Sequence, residues 1–313
     1  MSGPKMESTG VLVLGMHRSG TSAAARVLTT LGLSASRPDD AVRGPWNPKG
    51  HYESQAMMHL DNRLLAEMGC TWWSPPPSGM AYGDRVARIT VSARQARQVF
   101  RRAYPRKRWV WKDPRACLLL PFWRRVLGHR TPAVIVLRNP LEVAASLERR
   151  NAMAPAFSVA LWARYHRLLL EHTRGMPALV TRFDDLIADP ARWAETSAAF
   201  LTGVGLPPPH AVPGALEDSV DTSLRHSRHG RGDLEREAPQ ALALFDAWEA
   251  LVGTWVALDP PDLGGEPTAV QIELDTMGPD NDPGWRPPPW ATPGGADAGT
   301  PAADVRKDGA PWT

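Results

Sequence analysis

The stretch Val11-Leu12-Val13-Leu14-Gly15-Met16-His17-Arg18-Ser19-Gly20-Thr21-Ser22 decides the fold. Four apolar residues in an unbroken run read as a strand covered on both faces, the pattern of a parallel sheet. A glycine-containing loop follows, and Ser22 to Leu31 then reads as a helix stopped by Gly32. Strand, loop and helix in this order bring backbone N–H groups together at a helix N-terminus, which makes an anion cradle. Gly15 and Gly20 allow the close backbone approach, Thr21 and Ser22 add hydroxyls, and Arg18 adds a permanent cation. The competing reading is a tight turn with no ligand. So many anion-binding groups at one strand end favour a ligand site.

Outward from this unit the alternation continues. Trp109 to Trp111 reads as a second strand running into Lys112-Asp113-Pro114-Arg115. Ala133 to Leu137 is a third, ending at Arg138-Asn139-Pro140, and Ala178 to Arg182 a fourth. Helical patterns lie between and around them at Gln55–Met68, Leu141–Arg150, Phe157–Thr173 and Ala191–Leu201. The expected fold is α/β: a P-loop-like, three-layer arrangement with a central parallel sheet flanked by helices. Trp72 to Gly83 reads as an irregular surface loop, Pro207 to Arg236 as a loop rich in His and Arg, and Ala238 to Leu258 as a last amphipathic helix. The expected organisation is a flexible N-terminus over 1–9, one domain over 10–259, and a Pro/Gly-rich, mostly disordered tail over 260–313. Within the tail, Val270 to Leu274 alternates apolar and polar residues, the pattern of a short docked strand.

Composition narrows the class. The chain has 313 residues, 43% hydrophobic and 22% charged, as expected of one large globular domain. A net charge of only +3 fits an anionic ligand and is too weak to argue for nucleic acid. Cys70 and Cys117 suffice for neither a disulfide framework nor a four-ligand zinc site. Met1 to Gly10 lacks an apolar signal core, and the longest apolar runs are strand-sized, so no transmembrane segment and a cytoplasmic location are expected. Arg94, Arg97 and Arg101 share a helical face, read as solvated in preference to an acceptor-binding surface.

The loop spacing is near that of a nucleotide triphosphatase, yet Thr21 stands where the lysine after Gly20 belongs. The strand Ala133–Leu137 ends in Arg138, where a magnesium-binding Asp would be needed. Gly15 to Ser22 instead resembles the 5′-phosphosulfate loop of the PAPS-dependent sulfotransferases, with His17 in place of a frequent proline. Val134 through Arg138 to Ser146 resembles their 3′-phosphate element, an Arg at the strand end and a Ser on the next helix. Trp111-Lys112-Asp113-Pro114 is similar to a stretch of the tyrosylprotein and carbohydrate types. Val180-Thr181-Arg182-Phe183-Asp184-Asp185-Leu186 with Asp189-Pro190 is similar to a further family signature, in which Phe183 replaces a Tyr. Four such motifs in order cover Val11 to about Gly205, and they point to a bacterial member of the family.

The resemblance implies sulfonate transfer from PAPS, leaving PAP, onto a hydroxyl or amine of a carbohydrate or small metabolite, with no metal required. It implies a donor site of Gly15, His17, Arg18, Ser19, Gly20, Thr21, Ser22, Arg138 and Ser146. The family's Arg-Lys-Gly segment is absent in that form, and Ser223 to Gly232 is either its substitute, with Arg225 as the candidate second 3′-phosphate contact, or an ordinary basic surface loop. Arg18 and Lys112 would stabilise the transferring group. Glu53 is the first choice as base, with His51 and His17 as rivals. Trp46, Tyr52, Trp72 and Trp73 are read as packing in preference to an acceptor pocket. A P-loop-type nucleotide kinase and a non-catalytic PAP- or anion-binding module are the alternatives. The sequence is silent on oligomeric state.

Overall fold

The computed structural model describes residues 10–42, 52–206 and 228–276. In chain order the elements begin β1 (Val11–Leu14), α1 (Thr21–Thr30), α2 (Gln55–Glu67), α3 (Met80–Val86), α4 (Ala93–Ala103), β2 (Val110–Lys112) and α5 (Leu120–Leu127). They continue β3 (Ala133–Leu137), α6 (Pro140–Asn151), α7 (Pro155–His172), β4 (Ala178–Arg182), α8 (Phe183–Ala188) and α9 (Pro190–Gly203). After the next described segment begins come α10 (Arg231–Glu237), α11 (Pro239–Ala250), β5 (Gly253–Trp255) and α12 (Thr268–Thr276).

The five strands form one sheet in the order β2-β1-β3-β4-β5. The first four are parallel and β5 runs antiparallel to β4, so the sheet is mostly, not wholly, parallel. Alternate residues of each strand enter different cores. Val11, Val13, Val134 and Val136 pack with α1, α8 and α9 on one face. Leu12, Leu14, Ile135 and Trp111 pack with helices including α2, α5 and α7 on the other. Burial on both faces is why the strands read as unbroken apolar runs.

The chain passes from β1 to β2 on one side and then to β3 on the other, so β1 is the topological switch point. In such sheets ligands bind beyond the carboxyl ends of the strands at that crevice. Val13 is in register with Lys112, and Leu14 with Ile135. The loop after β1, Lys112 and the Arg138 end of β3 therefore share one edge of the sheet.

Several expectations change. Trp72 to Gly83 is not a surface loop: Trp72, Trp73 and Tyr82 are buried, and α3 begins at Met80. The helix expected over Ala238–Leu258 ends at Ala250, and Gly253–Trp255 becomes the edge strand. Arg231–Glu237 is helical within the segment read as a loop. Val270–Leu274 lies in a helix, not a strand. Residues 260–276 are also no free tail. Arg164 of α7, buried, pairs with Glu266 and Gln271, while Arg167 donates to the Gly264 carbonyl at 2.7 Å. No helix among the described residues is long and apolar enough to cross a membrane.

Candidate functional site

The loop after β1 is shaped by residues that could not be exchanged freely. Gly15 has φ 148°, and a Cβ there would lie 2.9 Å from the Val136 carbonyl oxygen. Arg18 adopts φ 68° and Gly20 φ 87°, both in the left-handed region. Such local strain persists where the surroundings over-determine it, often at ligand clamps. The Gly15 N–H donates to Cys117 Sγ at 3.2 Å, and burial pushes that thiol up to about 12, so it stays protonated. Gly20 caps α1, leaving the first-turn N–H groups at Thr21 and Ser22 directed to the loop. Ser19 is fully buried, and its Oγ has no hydrogen-bond partner among the described residues. An orphaned hydroxyl in a strained, glycine-lined loop fits a phosphate or sulfate oxygen.

Arg18, Arg138 and Ser146 come together. Arg18 Nε donates to Ser146 Oγ at 2.8 Å, and Arg138 Nη1 donates to the Arg18 carbonyl at 2.9 Å. The Arg138 guanidinium also pairs with Glu142 at 2.9 Å and lies 4.3 Å from the centre of the Phe183 ring. Phe183, in the place of the family's Tyr, thus stacks on Arg138 and stands where a Gly20 side chain would go. Burial, then Arg150, Arg138 and Arg149, push Arg18 down to about 9. An arginine keeps its proton at neutral pH. Loss of water and three neighbouring guanidinium groups thus both disfavour its charge, and an anion bound here would offset them. Arg150 follows Ser146 by one helical turn, and its place in this field was not foreseen.

Glu53 and Lys112 are both buried and form a hydrogen-bonded ion pair. Lys112 is therefore neither a surface lysine nor the partner of Asp113. Asp113 instead holds Arg115, whose Nη1 lies 3.0 Å from Asp113 Oδ1 and 3.9 Å from Glu53 Oε2. Arg115 Nε donates to Asn62 Oδ1 at 2.7 Å. Beneath them Asp61 accepts from Trp123 Nε1 at 2.8 Å. Burial and the Asp113 carboxyl hold Asp61 well above the usual carboxylate range. Arg115, Asn62 and Asp61 escaped the sequence reading. The only local signal was Asp113-Pro114-Arg115, a carboxylate and a guanidinium two residues apart.

His17 is buried, 4.6 Å from the Trp72 ring and 6.1 Å from that of Tyr165. Burial, then Arg115, Arg150, Lys112 and Arg18, hold its imidazole well below the usual range. Taking up a proton beside four cations is unfavourable, which counts against His17 as the base and for Glu53. Tyr165 Oη donates to the Trp72 carbonyl at 2.8 Å, so Trp72 is a packed wall behind His17. Tyr52, at φ 57°, lies under the Arg26 guanidinium. Trp46, His51 and Arg225 lie outside the described residues. Among the described residues no group of His, Cys, Asp and Glu could hold a metal ion. A separate cleft of about 420 Å³ opens between β4, β5, α8 and α9, lined in part by Thr181, Asp185 and Arg192.

No family model and no curated protein matches the chain. Among solved structures, the sulfotransferase domain from the Synechococcus PCC 7002 olefin synthase is similar at 17% identity and a TM-score of 0.43, over 88% of this chain and 96% of that one. The sulfotransferase domain from the curacin biosynthetic pathway is similar at 14% identity and a TM-score of 0.38, over 88% of this chain and 98% of that one. Likenesses this loose assign no residue, and function has to be argued from the geometry of this chain.

Proposed function

We propose that the protein is a sulfotransferase that moves a sulfonate group from PAPS to an acceptor hydroxyl or amine. The observation that carries the reading is the buried Lys112–Glu53 pair, set at the end of the strand beside the anion loop. A cradle alone would suit any anion. A lysine and a carboxylate held together at its rim supply a cation for the transferring group and an acceptor for a proton.

The phosphosulfate lies on the loop N–H groups with Ser19, Thr21, Ser22 and Arg18 around it. Arg138, Ser146 and Arg150 take the 3′-phosphate, and Arg225 is a further candidate contact. The acceptor oxygen or nitrogen attacks sulfur in line as the bond from sulfur to the bridging oxygen breaks. The electron pair leaves with PAP, where Lys112 and Arg18 stabilise the charge. Glu53 takes the acceptor's proton. A sulfonate carries less charge than a phosphoryl group, so cationic side chains and backbone donors suffice for the step. The catalytic domain in this reading begins at residue 10 and takes in the segment 260–276 docked on α7, and the acceptor is a carbohydrate or small metabolite. Two buried, unpaired cysteines fit a cytoplasmic reaction.

Titration calorimetry with PAP and with ATP tests the donor half. PAP should bind at least tenfold more tightly; tighter ATP binding would support a kinase and sink the proposal. A mass-spectrometric screen for sulfonated acceptors tests the other half. Lys112→Ala should abolish transfer while PAP still binds. PAP binding with no transfer to any acceptor would leave a PAP-binding module.

A further inference from the structure

The Glu53 carboxylate poses a chemical problem for any reaction in which Lys112 serves the leaving group. Lys112 is its hydrogen-bonded partner, and a lysine that turns to a sulfonate leaves that carboxylate behind in a buried place. A buried carboxylate that loses its cation takes up a proton, and a protonated Glu53 could no longer act as base. Arg115 is placed to prevent this. It is fully buried and approaches the other oxygen of the carboxylate, Glu53 Oε2, at 3.9 Å.

Its guanidinium cannot follow Lys112, because it is fixed from two other directions. Asp113 accepts from Nη1 at 3.0 Å and also from the Arg115 backbone N–H at 2.9 Å. Asn62 accepts from Nε at 2.7 Å. Asn62 lies on α2, the helix that Glu53 directly precedes, so the same contact fixes the helix start relative to β2. The other groups that face Glu53 are Lys112 from β2, Arg150 from α6, Asp113 beside Arg115, Asp61 from α2 and the Tyr104 phenol at the end of α4. Burial raises the Tyr104 phenol and the Asp61 and Asp113 carboxyls alike, and at Asp113 the Arg115 and Lys112 charges work against that rise. Arg150 acts on Glu53 through its charge, and in the reading proposed above it also serves the 3′-phosphate.

We propose that Arg115 is a positioning residue for Glu53: anchored by Asp113 and Asn62, it keeps the carboxylate oriented and ionised while Lys112 engages the transferring sulfonate. This rests on the sulfotransferase reading for its meaning, although its test does not require transfer. Lys112→Met imitates the moment at which the lysine has left. In that background, Glu53 is followed by NMR of glutamate labelled with ¹³C at the carboxyl carbon, its signal assigned by loss in Glu53→Gln. Arg115→Met should raise the titration of Glu53 by about one to three pH units, the effect of an opposite charge at this range. Arg115→Met/Asp113→Asn, which also takes a carboxylate away from Glu53, should raise it by less. Arg115→Lys, which keeps a charge without the fork, should recover part of the shift. A titration that moves by less than about 0.3 unit on removal of Arg115, below any such effect, overturns the inference. PAP affinity is measured alongside on the wild-type protein. Absence of PAP binding there sinks the sulfotransferase reading and leaves the Glu53 result standing by itself.

Discussion

Replacing Lys112 by Met removes one partner of an ion pair whose side chains are only 2% and 10% exposed. Breaking a buried pair from one side typically costs about 3–5 kcal/mol, because the remaining charge stays behind uncompensated. Arg115 at 3.9 Å from Glu53 Oε2 softens that penalty, so the lower end, about 3 kcal/mol, is expected. For a domain of this size that is a loss of about 6–12 °C in Tm. Glu53→Gln should cost about as much, since Lys112 is then the stranded charge. The double variant removes both charges and should be no less stable than either single one, a coupling of about 3 kcal/mol. Urea midpoints at pH 7 for the four proteins, with slopes checked for constancy, give the cycle. If the double variant shows the two single losses added together, the pair does not exist as described and the argument built on it fails.

Two further outcomes follow from other parts of the molecule. Gly20→Ala places a methyl group 2.1 Å from Phe183 Cδ2 at φ 87°; overpacking and left-handed strain together should cost about 3 kcal/mol and weaken PAP binding more than tenfold. An unchanged Tm would show that the loop and Phe183 are not in contact. Burial holds His166 down to about 4, so its unfolded form takes up a proton first as pH falls. The stability that it contributes is complete above about pH 6.5 and is lost progressively toward pH 4, amounting to about 3 kcal/mol. His166→Gln should flatten the fall of the urea midpoint over that interval; parallel curves for the two proteins would refute this.

What could be read in the sequence follows from what each residue answers to. β1, β3 and β4 were legible because burial on both faces demands unbroken apolar runs. β5 was not: Gly253-Thr254-Trp255 is half exposed, short and glycine-led, and it becomes a strand by pairing with Ala178 to Val180. Val270 to Leu274 has a strand's alternation, yet Val270 is fully buried in a helix held to α7. In the candidate site, Arg18 could be picked out from the anion loop itself, while Arg138, Ser146 and Lys112 were picked out through the family resemblance. Glu142, Arg115, Asn62 and Asp61 act through pairing in the fold. Nothing in the spacing of residues 61, 62 and 115 announces that they will meet.

Arg164 and Glu266 stand 102 residues apart in the chain, and Arg167 reaches Gly264 over 97. During synthesis α7 leaves the ribosome well before either partner exists. At about 5–20 residues per second, a nascent chain spends several seconds with Arg164 lacking its carboxylate. Arg164 also donates to the Pro76 carbonyl, and its neighbour Tyr165 holds Trp72, the ring that backs His17. The wall behind the site is therefore secured late, by a segment translated well after α7. A ribosome stalled before residue 260 would present the sheet and the anion loop with this clasp still open.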